Sequence, residues 1–142
     1  MKKRCIFPKH ILLAAAFSML LGVLTGCVAK VEETGKLKDL EFTVVKEEDI
    51  PEEMQAMIEE QKVDAFQGTY EDRGYLYIVE GYGVQPTTGY SVEVTAVYET
   101  ENAVAVATTL LGPPKDEKFL EKETYPYVVI KLEAIDKEVQ WR

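Results

Sequence analysis

The sequence predicts an α+β domain, a curved, mainly antiparallel β-sheet of about six to seven strands carrying one amphipathic helix near its amino end. Three observations lead there. Only Ile50 to Lys62 has apolar residues at helical spacing. Every later apolar run is short, β-prone and bounded by turn residues. Tyr90 to Thr100 alternates apolar and polar side chains, the pattern of a half-buried antiparallel strand.

The elements follow in order. Residues 1–26 read as a lipoprotein signal peptide: a basic start (Lys2, Lys3, Arg4), an apolar run from Ile11 to Leu24, then Leu24-Thr25-Gly26 before Cys27. The run has 14 residues. As a helix that is about 21 Å long, short of the roughly 30 Å needed to span a membrane core. Cys27 is the expected lipidation site, and several acyl chains there anchor a protein stably, since each buried methylene contributes about 0.8 kcal/mol. Residues 27–40 read as the lipidated cysteine and a solvated tether, and 41–142 as a single domain.

Within that domain Phe42 to Val45 is a short strand. Pro51 suits the first helical position, with Glu52 and Glu53 at the positive end of the helix dipole, and Ile50, Met54, Met57 and Ile58 share one face. Strands are expected at 65–70 and 75–82 around the turn Glu71-Asp72-Arg73-Gly74, then at 90–100, with Val92, Val94, Ala96 and Tyr98 on one side. Residues 103–111 form its hairpin partner, and 127–132 and 139–141 close the domain after a Pro113-Pro114 break.

Charge and composition exclude several functions. The chain has a formal net charge of −9, and loss of residues 1–26, which hold four basic residues and no acid, leaves 12 Lys and Arg against 25 Asp and Glu. Nucleic acid is a poor partner for such a chain, because binding it requires clustered cations. His10 and Cys5 leave with the signal. The remaining chain has no histidine and, with Cys27 acylated, no free thiol, so His-based triads, thiolate catalysis and His/Cys zinc sites are excluded. The one remaining serine, Ser91, sits on the polar side of a strand with no recognisably spaced lysine. Carboxylate pairs such as Glu80 and Glu93 are expected by chance at this acid content, and the acids around Glu47 to Glu60 lack the spacing of a calcium loop. Neither catalytic residues, nor a metal site, nor a cofactor is expected.

Gly81-Tyr82-Gly83-Val84-Gln85-Pro86 begins like a dinucleotide fingerprint, but Pro86 takes the place of its third glycine and a strand follows instead of a helix. The segment to Tyr90 places tyrosines, glycines and a proline between two strong strands. Tyr82, Gln85, Pro86, Thr87 and Tyr90 are therefore candidate partner-binding residues, and the same residues equally suit a structural connection folded back on the sheet. Tyr125-Pro126 admits a cis bond, with trans the default.

Gly83, Pro86-Thr87-Thr88-Gly89-Tyr90-Ser91-Val92-Glu93-Val94, the Pro113 loop and Thr124-Tyr125-Pro126-Tyr127 through Leu132 together resemble the carboxy-terminal domain of PrcB-like protease-complex lipoproteins, over residues 75–141. Thr88 stands where that family often has a second glycine. The resemblance implies a membrane-tethered accessory subunit that stabilises a surface protease and is not itself an enzyme. The expected protein is thus a non-catalytic lipoprotein on the outward face of a bacterial envelope, held in the membrane by lipid on Cys27 and bound to a protein partner such as a secreted protease. A small-ligand binding or sensing lipoprotein is the alternative, and a carboxylate-only hydrolase a weaker third. Replacing Cys27 by Ser is expected to abolish acylation and lipoprotein-type cleavage, measured by mass spectrometry of the mature amino terminus; an unmodified chain starting elsewhere in the native protein contradicts the lipobox reading.

Overall fold

The structure, a computed structural model, describes residues 35–142; Cys27 and the segment read as an export signal lie outside the described residues. The chain forms β1 (Lys38–Asp39), β2 (Thr43–Val44), a 3-10 turn (Glu47–Asp49), helix α1 (Glu52–Gln61), then β3 (Ala65–Asp72), β4 (Tyr75–Tyr82), β5 (Ser91–Glu99), β6 (Ala103–Leu111), β7 (Tyr127–Glu133) and β8 (Glu138–Trp141). Among the described residues these make an α+β fold of one helix and two four-stranded sheets, ordered β1-β5-β6-β8 (sheet one) and β2-β7-β4-β3 (sheet two). All pairings are antiparallel except β6 with β8.

The division into two sheets, where the sequence reading expected one curved sheet, follows from the composition of β4 and β7. Leu76-Tyr77-Ile78-Val79 and Val128-Val129-Ile130 are buried without a break. Strands like these have no polar face to leave in water, so both faces need cover. On one face Leu76, Ile78, Val128, Ile130 and Leu132 pack against Val97, Val104 and Val106 of sheet one. On the other, Tyr77, Val79 and Val129 meet Ile50, Met54 and Ile58. Helix α1 thus buries the face its spacing predicts, and full burial of a side chain such as Met54 is worth roughly 1.5–3 kcal/mol. Pro51 lies just outside the helix with extended ψ (141°), one position earlier than expected.

Two further expectations are corrected. Residues 37–40, taken as tether, belong to the sheet: Lys38 and Asp39 pair with Glu99 and Tyr98. The regular alternation of β5 fails after Val94, where Thr95 is an extra residue in the ladder against Thr108 and Ala107. A bulge shifts every later side chain to the opposite face. Val97 therefore joins Val92 and Val94 between the sheets, while Tyr98 lies on the other face with its partner Ala105. The Tyr125–Pro126 bond is trans, as no described peptide bond is cis.

Glu99 ties three elements together. Lys137 Nζ donates to its carboxylate at 2.7 Å and to Thr100 O at 2.8 Å, and Lys38 Nζ lies 3.4 Å away. The Lys137 hydrogen bond is the main reason its carboxyl sits below the ordinary carboxylate range; desolvation opposes it and the charges of Lys137 and Lys38 add to it. A depressed acid stabilises the fold above its unfolded value of about 4.3, and that contribution is lost as pH falls through the lower folded value. Glu99→Gln is expected to lower the melting temperature at neutral pH and to match the native protein once acidification passes below the carboxylate range, read from thermal unfolding across pH.

Candidate functional site

Four strands end or begin at one end of the sandwich: β4 at Tyr82, β5 at Ser91, β6 at Leu111 and β7 at Tyr127. Their connections, residues 83–90 and 112–126, meet there. Gln85 and Thr124 exchange backbone hydrogen bonds of 2.8 and 3.0 Å. Thr88 N–H donates to Leu120 O at 3.0 Å, Leu120 N–H to Thr88 Oγ1 at 2.9 Å, and Thr124 Oγ1 to Thr87 O at 2.7 Å. The candidate loop is therefore half of a two-loop lobe, stitched along its length, not a free projection.

Glycine makes the first step of this lobe possible. Gly83 has φ +74°, and a Cβ there would lie 3.1 Å from the backbone of Val63, Asp64 and Ala65. Only glycine takes that conformation without strain at such close approach. Val84 N–H then reaches Val63 O at 3.0 Å.

The sequence-predicted residues divide by role. Tyr82 is half-buried, and its hydroxyl lies 2.6 Å from Thr108 Oγ1 across the two sheets. Thr108 Oγ1 donates to Glu80 Oε2 at 2.7 Å, and Glu80 Oε1 accepts from Gln67 Nε2 at 2.9 Å. With the Thr108 proton committed to a carboxylate, Tyr82 is the donor in its own bond. Gln85 is half-buried and its side-chain amide donates to Tyr82 O at 3.2 Å; Thr87 Oγ1 donates to Thr88 O at 3.1 Å. Pro86 is exposed, and Tyr90 is half-buried beside Gly112. Glu80 is thus held by Gln67 and Thr108, while Glu93 lies exposed on β5, so the carboxylates considered as a pair have separate surroundings.

Sequence reasoning missed the second loop's contribution. Phe119 and Leu120 are 52% and 68% exposed in the second loop, and Val84 in the first is 43% exposed. The signal was present: Phe119-Leu120 is the one apolar pair inside the charged run Lys115 to Glu123. Large apolar side chains grouped on a surface mark interaction sites.

A groove of about 420 Å³ opens below the lobe, between β5 and β7, with Tyr90, Ser91 and Val92 on one side and Tyr125, Tyr127 and Val128 on the other; Val44, Glu47 and Ile50 close it. Burial pushes the Tyr127 phenol above its ordinary range, and Glu47 and Glu59 push it further, with Lys62 opposing. Lys62 Nζ sits 5.1 Å from the centre of the Tyr125 ring and 2.7 Å from Glu59. A second hollow of about 1000 Å³ lies beside β1, β2 and the end of β7, where Lys131 Nζ is 4.0 Å from the Tyr75 ring centre. Among the described residues no group of three or more Asp, Glu, Cys or His is placed to hold a metal ion.

Tyr82→Phe keeps the ring and removes the hydrogen bond to Thr108. It is expected to lower stability by about 0.5–1.5 kcal/mol in urea unfolding, and Thr108→Val to cost more, because it strands one side of Glu80 as well.

Comparison with curated proteins gave no match, and comparison with solved structures gave none either. A family model described as PrcB C-terminal matches residues 76–133, which run from β4 to the end of β7 and include both loops of the lobe and both walls of the groove. Residues 76–133 are thus the segment of this chain that matches the PrcB C-terminal domain family.

Proposed function

We propose that this protein is a non-catalytic accessory subunit, lipid-anchored through Cys27 to the outward face of a bacterial membrane, that docks a surface protease or another envelope protein through the two-loop lobe. The observation that carries the reading is the PrcB C-terminal match over both loops, the same domain whose resemblance implies a protease-complex subunit. The chemistry is consistent with it: beyond the signal segment the sequence holds no histidine, and Ser91 lies exposed at the start of β5 with no hydrogen-bonded base among the described residues.

In this reading the lobe divides its labour. Tyr82, Gln85 and Thr87 hold its shape through hydrogen bonds, while Pro86, Val84, Phe119 and Leu120 present contact area and Tyr90 forms the step down to the groove. Exposed apolar anchors that cost little to the fold are the residues that carry binding energy when a partner covers them. A small-ligand lipoprotein is the second reading, favoured by the tyrosine-lined groove, whose volume falls in the range of small-molecule sites.

The test is affinity capture with crosslinking from membranes, comparing native protein with the double substitution Phe119→Ser, Leu120→Ser. Capture is expected to fall by about 30-fold or more, the equivalent of roughly 2 kcal/mol, with the melting temperature nearly unchanged. Full capture by the double variant removes the lobe from the docking surface.

A further inference from the structure

Sheet edges govern how a β domain meets other chains, because an unpaired edge presents backbone N–H and C=O groups that another strand can satisfy. Residues 37–45 cover parts of two edges. Leu37 N–H donates to Glu99 O at 2.7 Å and Leu40 N–H to Val97 O at 3.0 Å, so the later part of β5 is paired. The chain then crosses to sheet two, where Thr43 and Val44 pair with Lys131 and Ile130 and Val45 N–H donates to Val129 O at 2.8 Å. Among the described residues, the first part of β5, Ser91 to Ala96, has β6 on one side and no strand on the other. The groove of about 420 Å³ borders the start of this uncovered part, at Ser91 and Val92. β3 and β8 also have open sides, but neither of the two hollows borders them.

The geometry selects the occupant. Only an extended backbone matches an edge at the 4.7–4.9 Å spacing of paired strands, and its side chains then alternate between two surroundings. Those beside Val92 enter the tyrosine-lined groove, and those beside Val94 face the apolar interior between the sheets. Those beside Ser91, Glu93 and Thr95 lie on the exposed face, where Glu93 is the charged group, and Glu47 is the charged residue among the groove's lining. Opposite charges across paired strands are favourable and like charges are not. A second copy of a chain with 25 acidic residues brings the wrong sign.

We infer that the outer edge of Ser91–Ala96 receives, as an added strand, an extended segment of a partner protein in which lysine or arginine alternates with apolar residues. The inference rests on the docking-subunit reading and deepens it by naming the partner's recognition element.

The experiment uses the full-length protein in detergent and three capped hexapeptides: alternating lysine and valine, alternating glutamate and valine, and the lysine–valine peptide with a central proline. The first is expected to bind saturably by calorimetry, to slow amide hydrogen exchange across Ser91–Ala96, and to weaken at least tenfold with Glu93→Lys or with added salt. The glutamate and proline peptides are expected not to bind. Equal binding of the proline peptide, protection at β3 instead of β5, or no binding of any peptide overturns the inference, as does β5 protection that grows with protein concentration alone, the sign of pairing between copies. Capture of a membrane partner with β5 exchange unchanged defeats this inference and leaves the docking role standing, whereas lysine–valine binding at β5 with no captured partner does the reverse.

Discussion

Burial of β4 and β7 on both faces is the constraint on which the rest of the molecule depends. Leu76, Ile78, Val128 and Ile130 need one apolar surface against them, and Tyr77, Val79 and Val129 need another. Helix α1 supplies the second with Met54 and Ile58, and sheet one supplies the first with Val97, Val104 and Val106. The order helix, sheet two, sheet one follows from those two hydrophobic faces. Packing is tight on the helix side: Phe66 on β3 lies across the strand pair from Gly81 and fills the space a Cβ would need there.

The PrcB C-terminal segment has a simple place in this arrangement. Residues 76–133 provide β5 and β6, the middle pair of sheet one, and β7 and β4, the middle pair of sheet two. Among the described residues, the elements outside the match are cover: α1 for a face, and β1, β2, β3 and β8 for edges. Because β1 and β2 are only two residues each, their cover is partial. The uncovered length of β5 and the groove beside it are thus a direct result of how the accessory elements stop short.

The lobe at the carboxy end of β4 depends on the same core. Two sheets packed face to face bring Tyr82 of one to Thr108 of the other, and a chain of hydrogen bonds from Gln67 through Glu80 and Thr108 to Tyr82 takes over where the apolar interior ends. Stitched to each other by Gln85, Thr87, Thr88, Leu120 and Thr124, the loops expose apolar side chains on a defined backbone. Such preorganisation lowers the ordering cost that flexible loops incur on binding.

Local pattern made much of this legible in the sequence. The helical spacing of Ile50, Met54 and Ile58, the turn at Arg73-Gly74 and the Glu101-Asn102 hairpin place the helix and most strands close to where they occur, because each depends on a few adjacent residues. Gly89-Tyr90 and Pro126-Tyr127, with the segments around them, carried the resemblance to the family whose model matches residues 76–133. What tertiary structure alone decided concerns residues far apart in the chain. The bulge at Thr95 depends on register against Thr108 and Ala107 and turns Val97, in place of Ala96 and Tyr98, to the face between the sheets. The joining of loop 83–90 to Thr124 and Leu120, and the role of Tyr82 as a hydrogen-bond donor between sheets, need partners 26 or more residues away. Periodicity reports which side chains are apolar, but which surface each one meets is set by long-range pairing, and a one-residue shift in that pairing reverses the answer.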